Sequence, residues 1–401
     1  MTAPGTEIAQ LALSHGGMAW SQARRSAELA ALPLDPCAVP LRRARGLALA
    51  EPLLAGLALP GFDTAAMDGY AVCGPGPWHV IGRALAGCSP SVPALGPGQA
   101  VEIATGAQVL PGTTAVLPYE RAQRTGASVS GPDEPGRHIR RRGEECAEGR
   151  EVLSAGTLVT PAALGLAASV GCDTLMVHRR PGVALLVTGD EVVRHGIPPV
   201  GRVRDALGPL LPGLVDWLGG IAQPPTYLPD GRAPLSSALA RSRGSVDVIA
   251  VCGASSRGPA DHLRPVLREL GAEVLVDGVA CRPGHPQLLA RLPGGGALVV
   301  GLPGNPYAAL AAALTLLAPV LGRLSGRIPR PPEHGVLTAP VRRRPHETRL
   351  LPVTVVSGRA TPVGHDRPGL LWGAAAADAL AVLPPTDDAE AGRVELLALP
   401  R

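Results

Sequence analysis

Several short stretches of this chain gather residues that could bind or move charge. "GLPGNP" (301–306) holds Asn305, the only asparagine in 401 residues. An Asn followed by Pro306 is suited to start a helix, as N-cap and first helical residue. The unpaired N–H groups and positive end of that helix would seat an oxyanion, although a plain capped turn fits the same letters. "VTGDE" (187–191) places Asp190 and Glu191 at the end of an apolar run, where carboxylates suit Mg2+ or simply end a solvated loop. "CGASSRGPADH" (252–262) offers Gly253, the hydroxyls of Ser255 and Ser256, Arg257, and Asp261 as a helix cap. "CRPGHP" (281–286) sets Arg282 and His285 around a Pro-Gly turn, where both could face one ligand.

Two further stretches lie earlier. "PGFDTAAMDGYAV" (60–72) carries Asp63 and Asp68 among small residues, with the only phenylalanine, Phe62, beside them. Either carboxylate could activate water or hold a metal. A turn with Asx-type hydrogen bonds, with Phe62, Met67 and Tyr70 in the core, is the structural alternative. "GRHIRRRGEE" (136–145) is a basic run followed by two acids, read either as solvated surface or as Arg forks for an anion. No Ser stands in a G-x-S-x-G context, and a chain without a single lysine cannot carry a G-x-x-x-x-G-K-[ST] phosphate loop.

The composition narrows the class. All 37 basic residues are arginine, and the net charge of +4 is too mild for a nucleic-acid coat but compatible with small anionic substrates. Aromatics are only 2%, so the cores must be Leu, Val and Ala. The seven cysteines show neither C-x-x-C nor zinc spacing and read as reduced and structural. The first residues lack a signal-peptide pattern, and no run of about 18 uninterrupted apolar residues occurs. The expectation is a cytoplasmic protein with no membrane and no nucleic-acid partner.

These stretches need elements to hold them. Three apolar runs, 183–191, 246–258 and 297–306, each end in a Gly-bearing loop and are followed by helical stretches near 205–219, 261–270 and 306–322. Buried strands alternating with helices predict a parallel α/β sheet, with its ligand crevice at the strand C-termini. Residues 18–32 and 160–171 read as helices, the latter with Thr160 as N-cap, Pro161 at N1 and Gly171 past the end. Residues 49–148 are short apolar runs broken by Gly and Pro, a β-rich module set between two parts of a helical segment. Residues 334–401 turn back to short strands. The fold class expected is α/β multidomain: 18–48 with 149–180, an inserted 49–148, an α/β domain 181–327, and a small β domain 328–401.

In this order the phrases resemble the MoeA/gephyrin family of molybdopterin molybdenumtransferases, from about residue 18 to 401. "PGFDTAAMDGYAV" is similar to P-x-FDNSAMDGYAV, and "IATGAQVLPGTTAVLPYE" (103–120) to TGA-x-(L/V)-P-x-GADAVV-x-x-E. "RRRGEE" resembles RRRGED, "VTGDE" and "LPGNP" match directly, and "LLWGAAAADALAVLP" (370–384) resembles the last-domain signature. The resemblance implies an elongated homodimer of four-domain subunits, with a MoaB/MogA-like third domain and a β-barrel fourth. It implies a cleft between the third and fourth domains of one subunit and the second domain of its partner. The reaction implied consumes adenylylated molybdopterin and molybdate and releases AMP with Mg2+ assisting. The substrate is a small pterin, and molybdopterin adenylyltransferase is a further partner.

By the same resemblance Asp63, Thr105, Glu145 and Glu191 would be catalytic. Gly189, Asp190, Asp205, Gly253, Ser256, Asp261, Pro303, Gly304, Asn305 and Pro306 would line the substrate and nucleotide. Arg282, His285 and Arg349 would hold molybdate, and Glu191 and Asp205 the metal. The chain departs from the family pattern in several places. KPGKP is here "RPGHP", SGG-V-S is "CGASS", a DTN-like phrase is "DAL" (205–207), and the LPGNPVS serine is Ala308. A buried ligand that loses such donors binds worse by roughly 1–3 kcal/mol each. A second reading is therefore a divergent paralogue that binds molybdopterin or another anionic metabolite as a carrier without turning it over.

Overall fold

The computed structural model describes residues 17–253, 258, 261–329, 331–385 and 392–400. The elements that carry most of the chemistry-bearing stretches are, in chain order, strand β1 (Gly182–Thr188), helix α1 (Leu207–Trp217), strand β2 (Val248–Cys252), strand β3 (Val279–Arg282), strand β4 (Leu298–Leu302), helix α2 (Pro306–Leu324) and strand β5 (Thr348–Val356). β1, β2 and β4 are nearly unbroken apolar runs, as strands covered on both faces must be. They pair in parallel, with Val187 beside Cys252 and Cys252 beside Leu302, so all three end at one rim.

The sheet is mixed rather than wholly parallel as expected. Leu288–Arg291 runs antiparallel to β4, and Glu273–Asp277 antiparallel to Leu288–Arg291. Connections this short can only return the chain antiparallel, because a parallel crossover needs a dozen residues or more. Helix Arg232–Ser242, which buries Leu235, Ala238 and Leu239 against one sheet face, was not foreseen. Its Pro234 and paired serines mask the helical pattern.

α2 is 19 residues long and apolar enough to cross a membrane by length and composition, yet 83% of its most apolar 18-residue stretch is buried inside the protein, as a core helix would be. Helix Trp20–Leu29 lies against it. Ala23 and Ala27 are fully buried in the same core, Trp20 donates its indole N–H to Thr315 Oγ1 (3.1 Å), and Arg24 reaches the Leu314 carbonyl (2.7 Å). The alanines of both helices permit this close approach. The first helix of the expected helical domain thus packs into the α/β core. The remainder, strands Pro36–Pro40, Ala48–Leu49 and Thr174–His178 with helix Pro161–Ser169, surrounds its own core of Leu49, Leu53, Val159 and Val177. Thr160 caps that last helix through Ala163 N–H (3.2 Å).

Between these parts stands the inserted module. A six-stranded sheet carries one core on each face, around Ile103 and Leu110 on one and Trp78 and Leu117 on the other. Phe62 and Met67 are half-exposed, against the expectation that they belong to the core; only Tyr70 is buried. The C-terminal strands, beginning with Glu333–Leu337 and β5, close into a five-stranded barrel around Leu351, Val353, Ala381 and Leu383. The barrel is joined to the α/β domain by the parallel pairing of β3 with β5.

Candidate active site

At the rim the loops after β1, β2 and β4 press together. Gly253 has φ +97°, and a Cβ there would lie 2.6 Å from the Thr188 carbonyl oxygen. Its N–H donates to Leu302 O (3.2 Å), and Thr188 Oγ1 donates to Cys252 O (3.0 Å). Gly304 sits so close that its Cβ would be 3.5 Å from Gly253 Cα. The three loops therefore form one continuous edge, with Gly304 and Asn305 exposed, Pro306 half-buried and Pro303 buried behind them.

The acids of the rim differ in what they are free to do. The exposed Glu191 carboxylate folds back over Gly189. Asp190 and Asp230 each accept, weakly, from the other's backbone N–H (3.3 and 3.4 Å). Asp205 is buried and engaged: Oδ1 accepts from Leu207 and Gly208 N–H at the start of α1 (3.0 Å each), and Oδ2 from the Tyr227 hydroxyl (2.7 Å). Burial and that bond push the Tyr227 phenol up to about 12. Asp205 therefore caps the start of α1, and both oxygens of the carboxylate expected to hold the metal already accept from protein donors. Among the described residues no three His, Cys, Asp or Glu side chains could jointly hold a metal ion. Asp261 accepts from Gly258 N–H (2.7 Å), and Ser256 lies outside the described residues.

The start of α2 also departs from expectation. Asn305 occupies the N-cap position, but its side chain makes no capping bond. The N–H groups of Tyr307 and Ala308 donate instead to the Pro368 carbonyl of the barrel (2.9 and 3.3 Å). The oxyanion seat expected at this helix start is filled by protein. The same turn fixes the domains together, because the buried Tyr307 donates its hydroxyl to Leu350 O on β5 (2.9 Å).

One residue from Leu350, the seam between domains presents two arginines. β3 and β5 place Arg282 directly beside Arg349. Arg282 Nε donates to Glu347 (3.1 and 3.3 Å), and Arg349 Nε to Asp366 (2.5 Å) while its Nη1 bonds Arg342 O (2.8 Å). Burial raises the Asp366 carboxyl, but the bond and charge of Arg349 outweigh it and hold it below its ordinary value. Both guanidinium groups are thus oriented through Nε and keep terminal N–H groups for a ligand, the fork geometry that suits oxyanions. The intervening turn packs on α2: Gly284 has φ +107°, and its Cβ would lie 3.3 Å from Ala308 O. His285 is turned toward Gly278, and its Nδ1 is buried without a partner.

A second cluster sits in the inserted module. Asp63 accepts from Arg142 N–H (2.8 Å) and from Arg141 Nη1 (2.6 Å), and these bonds, the backbone one foremost, hold its carboxyl below the ordinary range. Thr105 is tied to Asp68 rather than Asp63, through its N–H (2.7 Å) and hydroxyl (3.0 Å). The Glu145 side chain is exposed and unbonded. Among the described residues the hydrogen bonds of 59–148 stay within that stretch except for a turn bond from Arg150 N–H to Ala147 O, and none joins Asp63, Thr105 or Glu145 to the rim.

The structure thus brings together Gly189, Asp190, Glu191, Gly253, Pro303, Gly304, Asn305, Pro306, Arg282 and Arg349. Sequence reasoning missed Glu347, Asp366 and Pro368, which orient the arginines and plug the helix. Glu347 stands two residues before Arg349, but nothing in the letters shows a carboxylate folding back across a strand pair. Two cysteines nearby are chemically quiet: burial pushes the thiols of Cys252 and Cys281 up to about 12.

Comparison with known proteins agrees with this layout. Residues 18–171 match the model of the MoeA N-terminal region (domain I and II), 184–323 a probable molybdopterin binding domain, and 334–397 the MoeA C-terminal region (domain IV). The chain is 34% identical to molybdopterin molybdenumtransferase 2 of Mycobacterium tuberculosis over 81% of each chain. It is 31% identical to the Bacillus subtilis molybdopterin molybdenumtransferase over 88% of this chain and 87% of that one. A solved structure of a molybdopterin biosynthesis MoeA protein from Pyrococcus horikosii covers 95% of this chain and 99% of its own, with a TM-score of 0.79 at 26% identity. Three consecutive domain matches and these near full-length relatives place the chain in the MoeA family.

Proposed function

We propose that this protein is a molybdopterin molybdenumtransferase, inserting molybdate into adenylylated molybdopterin with release of AMP. The observation that carries the reading is the pairing of Arg282 and Arg349, one from each of two domains, next to the rim where the Gly189, Gly253 and Gly304 loops end. Two oriented guanidinium groups suit a doubly charged tetrahedral oxyanion, and glycine loops at strand C-termini suit a nucleotide tail. The pterin brings its own sulfurs, and the quiet thiols of Cys252 and Cys281 offer the metal no competing ligand. The names of the relatives point to the same chemistry.

Among the described residues no three acids cluster, so Mg2+ would be held by one or two rim carboxylates such as Glu191 together with the phosphates of the substrate. Asp63, Thr105 and Glu145 stand apart from the rim within one chain, which supports a homodimer in which a partner's inserted module completes the cleft. The working compartment is the cytoplasm, with molybdopterin adenylyltransferase supplying the substrate.

The test is to incubate the pure protein with adenylylated molybdopterin, with and without molybdate, and to measure AMP. Molybdate-dependent release is expected. Tight binding without release would support the carrier reading, favoured by the acid partners of both arginines. New adenylylation from ATP would overturn both.

A further inference from the structure

A cavity of about 630 Å3 opens on another part of the barrel seam, and no residue of the rim lines it. Its walls come from residues 19–21, Ala280, 334–348, 382–385 and 393–395. That volume falls within the range of small-molecule sites, about 300–1,000 Å3. Among the described residues, Arg343, Arg393, His334 and His346 face it against a single carboxylate, Glu395. Glu395 lies directly across the strand pair from His334.

The charge there is not neutralised internally. Among the described residues Arg343 and Arg393 make no ion pair, although thirteen such pairs occur elsewhere. Arg343 Nη1 is buried with no hydrogen-bond partner at all. A buried guanidinium N–H left unpaired is costly, and a polar ligand or ordered water is what ordinarily satisfies it. The hydroxyls of Ser21 and Thr348 border the same space, and Val382, Pro384, Pro385 and Val394 give it an apolar wall.

We infer that this cavity binds a small organic phosphate. The dianionic phosphate is held by Arg343 and Arg393, with Ser21 and Thr348 as further donors, and its apolar body lies on the Val382–Pro385 wall. Two guanidinium groups with hydroxyl donors match a dianion better than a single carboxylate, and the apolar wall distinguishes an ester from the free ion. Neither Arg282 nor Arg349 lines the cavity, and the inference stands whether or not the proposed transferase activity does.

Calorimetric titration of the full chain with phenyl phosphate tests this, with inorganic phosphate as the comparison. One saturable site is expected, with inorganic phosphate weaker. Arg343→Gln and Arg393→Gln should each weaken phenyl phosphate by about tenfold or more, as loss of a charge-assisted bond does. Arg282→Gln, whose bonds go to Glu347 outside the lining, should leave this binding unchanged, and Arg343→Gln should leave AMP release unchanged. Circular dichroism of each variant confirms that it is folded. Ser21→Glu, which places a second carboxylate at an exposed position of the lining, should also abolish binding while the arginines remain. Absence of saturable binding up to millimolar ester would overturn the inference, as would binding lost in Arg282→Gln but kept in Arg343→Gln.

Discussion

At the scale of single residues, similar letters have come to do different work. Arg282 is exposed and aimed at the seam, whereas His285, three residues on, is turned toward Gly278. Arg282→Gln should raise the KM for molybdate about tenfold or more, and His285→Ala should change it by less than about threefold, because only the former removes an oriented charge. Steady-state AMP release over a molybdate series reads both. Asp205 makes the opposite case. Asp205→Ala removes the acceptor for two N–H groups and a buried phenol, so it should lower stability by about 1–2 kcal/mol in urea unfolding. Selective loss of metal response with unchanged stability would contradict the capping role. Asp63 carries a pH signature. Its folded carboxyl titrates below the ordinary value of about 3.9, held there by Arg142 N–H and Arg141. Its contribution to stability is therefore complete above that value and is lost as pH falls through the lower folded one. Carboxyl NMR titration should show Asp63 moving back up in Arg141→Gln. Of these roles, the sequence showed that Asp63, Arg282 and Arg349 carry charge in telling phrases. It could not show that Asp205 faces inward or that His285 turns away, because those depend on which partners the fold supplies.

At the scale of elements, the three buried strands and their glycine loops were legible, since apolar runs ending in Gly have few other uses in an α/β chain. The antiparallel edge and helix Arg232–Ser242 were not, because a short return and a Pro-Ser helix leave weak patterns. Nor did the letters show that the start of α2 would be plugged, since the Pro368 carbonyl that fills it lies in another domain. The glycines give a sharp contrast at this scale. Gly253 combines a positive φ with a Cβ position 2.6 Å from a backbone carbonyl, whereas Gly304 has ordinary space at 3.5 Å. Gly253→Ala should cost roughly 1–3 kcal/mol and push the β1 and β2 loops apart, and Gly304→Ala should stay within about 0.5 kcal/mol. Urea midpoints with AMP binding on the same samples decide it. Equal effects of the two substitutions would mean that the loops are not in contact.

For the whole molecule, the rim and the barrel arginines meet within one chain, while the Asp63 cluster keeps its hydrogen bonds to its own module. Completion by a second copy makes a demand that a single-chain site does not. Asp63→Asn and Arg349→Gln should each be inactive alone in molybdate-dependent AMP release. Mixed, dissociated and reassociated, they should recover about a quarter of wild-type activity, because half the dimers are mixed and each of those keeps one intact site. No recovery, with both variants folded and dimeric, would contradict a cleft built between subunits, and full activity of either variant alone would contradict the role given to that residue.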